Sequence, residues 1–310
     1  MRKKLSQPTA YITNIQHFNV HDGKGFRNVI FFQGCLLRCK WCQNPETQSL
    51  KPVMMYNERV CTDCLACSHA CPTGALQYRE QKFMFHADRC NLCRRCEREC
   101  YFTARNFSSK QMTLEEVIEE STREVQFKRG GGLGITLSGG EPLLQGEFCL
   151  ELAKRLKSQG ISLDIETAGF APWTTLERIK PYVDTFLYDL KLMDEAKRRH
   201  WLGTDQPLML DNLQRLAASG ADIIIRIPLI PGVNDTDAEF SSLLDFIDGL
   251  PGLHEIHILP FHQLGSSKYQ MLGMRYDMGN TREENQNRIS VCAKMAEMRG
   301  YRVDVGGSGK

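Results

Sequence analysis

The sequence predicts an α/β fold: a partial (β/α)6 barrel interrupted after its first strand by a small inserted module. Three observations carry this expectation. Six short apolar runs, each of strand length, alternate with amphipathic stretches of helical period along most of the chain. Repeated strand and helix units build a parallel sheet covered by helices, and six of them fall short of the eight in a closed barrel. Finally, eight of the 13 cysteines crowd into residues 61–100, between the first run and the first helix, where an insertion disturbs packing least.

The runs are Asn28–Gln33, Leu133–Ser138, Ile161–Glu166, Thr185–Leu190, Asp222–Pro228 and Glu255–Pro260. Each is short and nearly continuous in apolar residues, as a strand buried on both faces must be. Helical periodicity marks Thr113–Phe127, Glu147–Ser158, Trp173–Ile179, Leu210–Ala218 and Ala238–Ile247, and a last helix is expected at Arg282–Arg299. The chain therefore divides into 1–50, the start of the barrel with a cysteine loop; 51–107, the insertion; and 108–310, the rest of the barrel and the last helix.

Composition sets bounds. A chain of 310 residues can bury one large core beside a small module, and a net charge of +2 makes no electrostatic case for nucleic acid or a membrane surface. No apolar stretch approaches the roughly 20 residues needed to span a bilayer. Met1-Arg-Lys-Lys4 is basic, but polar residues follow it, so a solvated tail is expected rather than a signal peptide.

The two insert runs read Cys61-x2-Cys64-x2-Cys67-x3-Cys71-Pro72 and Cys90-x2-Cys93-x2-Cys96-x3-Cys100. This is the spacing of a bacterial ferredoxin with two [4Fe–4S] clusters, in which the fourth cysteine of each run ligates the other cluster. One cluster is thus expected on Cys61, Cys64, Cys67 and Cys100, the other on Cys90, Cys93, Cys96 and Cys71. Zinc is the alternative, although four-cysteine zinc sites usually come as two separated pairs. Tyr101 stands where the second run would usually carry proline.

A third group, Cys35-x3-Cys39-x2-Cys42, follows the first strand directly. Three thiolates leave one iron of a four-iron cluster open to a small-molecule chelator, although a structural zinc or three core thiols would use the same residues. Clusters need reduced thiols, which places the protein in the cytoplasm. Cys149 and Cys292 fall on helical stretches and read as core thiols.

Parallel sheets bind ligands at the C-terminal ends of their strands. The second run ends in Ser138-Gly-Gly-Glu-Pro142, where Gly139 and Gly140 allow close backbone approach and Glu141 offers an acceptor to an ammonium; a plain tight turn is the alternative. Glu166 closes the third run, and Asp189-x-Lys191 puts two opposite charges on one face of the fourth. Arg226, in an apolar strand, must meet an acid or a ligand carboxylate. The sixth run ends at Leu259-Pro-Phe-His262, where His262 reads from its residues alone as a satisfied structural histidine before a ligand contact.

Together these residues resemble the glycyl radical enzyme activating enzymes of the radical S-adenosylmethionine (SAM) superfamily. They are most similar to the subgroup with a two-[4Fe–4S] ferredoxin-like insertion, in the manner of pyruvate formate-lyase activating enzyme-like proteins. The likeness spans His21-Asp-Gly-Lys-Gly-Phe-Arg27, Phe31-Phe-Gln-Gly-Cys35, Trp41-Cys-Gln-Asn-Pro45, Ser138-Gly-Gly-Glu-Pro142, Asp189-Leu-Lys191, Arg226-Ile-Pro-Leu-Ile-Pro-Gly232 and Leu259-Pro-Phe-His-Gln-Leu-Gly265. Lys24-Gly-Phe26 departs from the family's usual proline and isoleucine, in a loop expected near a partner.

The resemblance implies a TIM-type radical SAM barrel and three [4Fe–4S] clusters, with Cys35, Cys39 and Cys42 holding the catalytic one. SAM would chelate its open iron, with Trp41 and Gln43 beside the cluster. Gly139, Gly140 and Glu141 would hold the amino end, Glu166 the ribose, Asp189 and Lys191 the methionine moiety, Arg226 the carboxylate region, and Leu259 and His262 the adenine. Reductive cleavage of SAM would yield a 5′-deoxyadenosyl radical that takes hydrogen from a backbone glycine of a partner glycyl radical enzyme. The partner is expected to be of lyase or dehydratase type, isethionate sulfite-lyase or glycerol dehydratase being the leading expectations. Flavodoxin or ferredoxin would donate electrons, in an anaerobic setting, to a monomeric protein. Two other functions stay open on these residues: a radical SAM enzyme acting on a small molecule or peptide, and a ferredoxin-type electron carrier.

Overall fold

The structure, a computed structural model, describes residues 8–123, 133–282 and 285–307. It opens with two antiparallel strands, β1 (Thr9–Asn19) and β2 (Phe26–Phe32). Next come β3 (Met54–Tyr56), α1 (Ala66–His69), a hairpin of β4 (Leu76–Arg79) and β5 (Lys82–Phe85), α2 (Arg95–Arg98) and β6 (Arg105–Phe107). Strand β7 (Lys110–Thr113) returns beside β1 and leads into α3 (Leu114–Thr122). From there strands and helices alternate: β8 (Leu133–Gly139), α4 (Gly146–Ser158), β9 (Leu163–Thr167), α5 (Trp173–Ile179) and β10 (Thr185–Asp189). They continue as α6 (Glu195–Leu202), α7 (Leu208–Ala218), β11 (Ile223–Leu229), α8 (Asp237–Asp248), β12 (Glu255–Pro260), α9 (Ser266–Met271), α10 (Gln286–Glu297) and β13 (Arg302–Val305).

Nine strands form one sheet in the order β13-β12-β11-β10-β9-β8-β2-β1-β7. Each of the six expected strands is present, and β2, β8, β9, β10, β11 and β12 pair in parallel. The sheet curls strongly, because groups far apart in strand order meet across its interior. Asp22, just before β2, reaches Arg226 on β11 at 3.3 Å although β8, β9 and β10 lie between those strands, and Arg27 on β2 reaches past β8 to Asp164 on β9 at 3.2 Å.

Outside the sheet, α4 presents Phe148, Cys149, Leu152, Ala153 and Leu156, all buried, as the apolar stripe that an amphipathic helix lays on a sheet. Burying each large side chain of this kind stabilises the fold by about 1.5–3 kcal/mol. Helix starts follow local chemistry: Thr113 and Glu116 form a reciprocal capping box on α3, while Asp194 and Thr236 cap α6 and α8.

Residues 54–107 leave the barrel and return to it at one place, since Met54–Tyr56 and Arg105–Phe107 pair antiparallel. Inside this segment non-glycine residues adopt the left-handed conformation at matching positions of the two cysteine runs: Asp63 and Leu65 in the first, Leu92 and Arg94 in the second.

Several elements depart from the sequence reading. The edge strands β7 and β13, strand β1 beside β7, and the short helices α6 and α9 carry too little continuous apolar pattern to announce themselves. The helix expected at Thr113–Phe127 is described as far as Thr122, residues 124–127 and Met1–Lys4 lying outside the described residues. The last helix begins at Gln286 because the Asn285 side chain accepts the Asn287 N–H and caps it there. The loop holding Lys24 and Gly25 precedes β2, and in it Gly23 packs against Asp164 and Arg27. Among the described residues no helix is long and apolar enough to cross a membrane.

Candidate functional site

A cavity of about 340 Å³ opens at the C-terminal ends of the parallel strands. Its wall is built first by the loop after β2. Gln33, buried, donates its amide to the carbonyls of Glu46 and Ser49 at 2.7 Å and accepts from the Ser108 hydroxyl at 2.9 Å, so one side chain ties the loop's far end to the strand. Helix α6, unseen in the sequence pattern, holds the middle: the N–H groups of Arg38 and Lys40 donate to the carbonyls of Leu202 and Trp201.

The Gly139-Gly140 pair explains itself in backbone contacts. Gly139 has a φ of +115°, and a Cβ there would collide with the backbone of Phe32; one on Gly140 would collide with the Gly34 carbonyl. The freed space is used by hydrogen bonds from Gly140 N to Phe32 O at 3.0 Å and from Glu141 N to Gly34 O at 2.7 Å. The turn is thus stitched to the cysteine loop.

Cys35, Cys39 and Cys42 all line the cavity. They are partly open to it yet lie deep beneath the molecular surface, and this burial pushes the Cys35 and Cys39 thiols up to about 12, with Glu141 and the other thiols adding to the effect. Lys191 counteracts it, its charge favouring thiolate on all three. Such thiols ionise when a cationic centre takes them up, and soft thiolates suit iron–sulfur clusters. The donor set fits a cluster with one open iron.

The charged groups expected at the strand ends share the same space. Asp189 holds Lys191 at 2.8 Å, leaving its Oδ1 buried without a partner. Burial alone would lower the Lys191 ammonium, but Asp189 and the Cys39 thiolate push it up. Arg226 lies between Asp22 at 3.3 Å and Glu166 at 3.2 Å, and its Nε is buried without a partner. The Ser138 hydroxyl donates to Glu166, whose carboxyl burial pushes up despite Arg226. Leu259 and His262 lie on the opposite wall, and Gln43 clamps that strand end by donating to the His262 carbonyl at 2.8 Å and accepting Gly265 N–H at 3.0 Å. Trp41 lines the cavity and tilts against Trp201 at 6.2 Å.

Glu141 is a correction. Its carboxylate, expected to meet an ammonium, is buried away from the cavity lining and accepts from Thr167 Oγ1 at 2.7 Å, Ala168 N at 3.1 Å and Leu143 N at 3.3 Å. It braces β8 against β9, and burial pushes it up to about 7. Asp22 is the residue missed: it lines the cavity and is an acidic partner that Arg226 demands, in a motif already conspicuous in the sequence.

In the insert, Cys61, Cys64, Cys67 and Cys100 surround one small space, while Cys96 lies close enough to Cys90 and Cys71 for their charges to act on it. The fourth cysteine of each run therefore lies with the other run's thiols. Cys93 sits half-buried on the loop after Asn91, whose side chain accepts its N–H. Among the described residues no three side chains converge as closely as one metal ion requires.

Residues 87–247 match the family model described as Radical SAM superfamily, and residues 54–77 the one described as 4Fe-4S binding domain. The chain is 34% identical to the trans-4-hydroxy-L-proline dehydratase activating enzyme of Clostridioides difficile, over 96% of this chain and 99% of that one. It is 36% identical to the (2S)-3-sulfopropanediol dehydratase activating enzyme of Klebsiella oxytoca, over 96% and 98%. It is 35% identical to the pyruvate formate-lyase 2-activating enzyme of Escherichia coli (strain K12), over 96% and 93%. Among solved structures, Streptococcus suis SuiB bound to precursor peptide SuiA superposes with a TM-score of 0.52 at 14% identity, covering 94% of this chain and 49% of that one, a likeness of fold. With its α/β architecture and mostly parallel sheet, the chain belongs to the radical SAM superfamily and, within it, to the glycyl radical enzyme activating enzymes, a family of oxidoreductases.

Proposed function

We propose that the protein activates a partner glycyl radical enzyme by taking a hydrogen atom from one of its backbone glycines. The observation that carries this reading is the meeting, in one cavity, of three thiols, two unpartnered buried polar atoms and the Asp22–Arg226–Glu166 network. A [4Fe–4S] cluster on Cys35, Cys39 and Cys42 would supply one electron to SAM, yielding methionine and a 5′-deoxyadenosyl radical that becomes 5′-deoxyadenosine on taking the glycine's hydrogen.

The chain's own residues bind, orient and shield. Asp189 Oδ1 is free to accept from the methionine ammonium, and Lys191 holds positive charge against the thiolates. Arg226, fixed by Asp22, keeps Glu166 aimed into the cavity for the ribose and leaves Nε for an anionic group. Gly139 and Gly140 admit the amino end, and Leu259 and His262 flank the adenine. Trp41, Phe261 and Ile230 close an apolar wall that excludes water.

The insertion, taken as 51–107 between barrel segments 1–50 and 108–310, would hold two further clusters on the crossed cysteine sets, three in all. The pairing of β3 with β6 and the grouping of Cys100 with the first run support this division. These clusters would relay electrons from flavodoxin or ferredoxin, or only dock the partner, in a monomeric cytoplasmic protein of anaerobic metabolism. The partner is a lyase or dehydratase, isethionate sulfite-lyase and glycerol dehydratase remaining our leading candidates; relatives of similar identity carry the names of several different partners.

The test is activation in vitro. Reduced, reconstituted protein with SAM is mixed with each candidate partner, glycine-deuterated, and read by electron paramagnetic resonance (EPR). A carbon-centred radical in one partner, with deuterium recovered in 5′-deoxyadenosine, is expected. Nucleoside formed without deuterium from any partner would move the reading to a small-molecule or peptide substrate.

A further inference from the structure

Arg105, on β6, is buried in the insert with a guanidinium that meets no carboxylate within 4.0 Å among the described residues. A charge held that far from water needs a counter-charge or a dense set of acceptors. What surrounds it is unusual for a structural arginine. Its Nε donates to Cys67 Sγ at 3.2 Å, and the guanidinium is caged between the Tyr56 ring at 4.0 Å and the Phe83 ring at 4.2 Å. Its Nη2 is buried without a partner, and the residue lines the space shared by Cys61, Cys64, Cys67 and Cys100. Four thiolates around a four-iron cluster make a net anionic body, the counter-charge this cation lacks.

The other cysteine set is served differently. Cys71 lies beside the neutral backbone N–H groups of Leu76, Thr73 and Ala75 and the Thr73 hydroxyl, and Arg98, an exposed cation on α2, donates to the carbonyl of Cys93. The Arg105 charge is felt at Cys96 of that set, though its N–H contact is with Cys67. Hydrogen bonds to ligand sulfur and nearby charge are the levers by which a protein sets a cluster's potential. Reduction adds one electron and one negative charge, which a buried cation in contact stabilises more than neutral donors do.

We infer that Arg105 sets the two accessory clusters apart, holding the one on Cys61, Cys64, Cys67 and Cys100 at the higher reduction potential. This rests on the reading that the insert carries two clusters. Arg105 acts as a positioning and tuning residue, and a single electron entering the insert rests first on the cluster it touches.

The experiment uses the full chain with Cys35, Cys39 and Cys42 all changed to alanine, so that only accessory clusters report. Iron is counted, and both clusters are titrated by EPR at controlled potential in this parent and in its Arg105→Lys and Arg105→Gln derivatives. The parent should hold about eight irons and show two midpoints. Arg105→Gln should lower the upper midpoint toward the lower one, which moves much less. Arg105→Lys, keeping charge without the planar fork, should lower it by a smaller step. About eight irons with both midpoints unmoved, or moved equally, would overturn the inference alone; about four irons in the parent would overturn the two-cluster reading and the inference with it.

Discussion

The barrel site and the insert both gather cysteines, but they hold them by different physics. In the barrel, strand register positions Ser138, Glu166, Asp189 and Arg226 above a large apolar core, Phe31 pairing with Ser138, Leu187 with Glu166 and Asp189 with Arg226, and Gln33 and α6 tie the cysteine loop to that frame. The insert's apolar cluster is Met54, Cys67, Leu76 and Phe107 with five partly buried neighbours, three of them cysteines. Its loops carry left-handed Asp63, Leu65, Leu92 and Arg94. On the proposed reading, a module with so little apolar burial and so much local strain would take its stability from the clusters it holds. The difference teaches that loss of iron should unmake one region and leave the other standing.

The sharpest break lies on the barrel side. Cys39→Ala leaves two thiolates at the open-iron site, and 5′-deoxyadenosine formation should fall at least about 1000-fold, the order expected when a catalytic centre is lost, while about eight accessory irons remain. Normal nucleoside production by this variant would remove the catalytic assignment. On the insert side, Cys64→Ala should lower total iron and expose residues 54–107 to protease, with the barrel's urea transition unchanged. Unchanged iron in that variant would contradict ligation there.

Within the barrel, Arg226→Met leaves Asp22 and Glu166 buried without their cation. Chemical denaturation should show a loss of about 3–5 kcal/mol, and SAM binding should weaken in equilibrium dialysis. If both are unchanged, the network is not what fixes Glu166.

The smallest effect concerns pH. Glu141 is pushed up to about 7 from 4.5 by burial, so the stability linked to its protonated form is fully present below about 4.5 and is lost as pH rises through about 7. That amounts to about 3 kcal/mol. Asp164, pushed up to about 6 by burial despite the Arg27 charge, titrates in the same range, so the readout is the difference between parent and variant. Glu141→Gln should flatten the parent's decline between pH 5 and 8; an unaltered decline would assign it elsewhere.

Much of this was legible in the residues because the parallel strands are continuous apolar runs and cysteine spacing is metal geometry. Trp173–Ile179 and Glu255–Pro260 were found with the bounds the structure gives them. What escaped has physical reasons. Strand β1 is largely half-buried or exposed, and α6 buries only Arg198 and Leu202, so neither shows a clean stripe. Glu141 was assigned to the ligand because sequence shows a carboxylate after two glycines, but not that Thr167 and Ala168 reach it first. Asp22 sits 204 residues from Arg226, and no local pattern connects them.

The most direct test of the account is anaerobic reconstitution with iron and sulfide, reduction with dithionite, addition of SAM, and measurement of iron per chain together with 5′-deoxyadenosine. The account predicts about twelve irons and nucleoside formed in amounts that depend on SAM. About eight irons with no nucleoside would contradict it and leave a chain whose clusters only carry electrons.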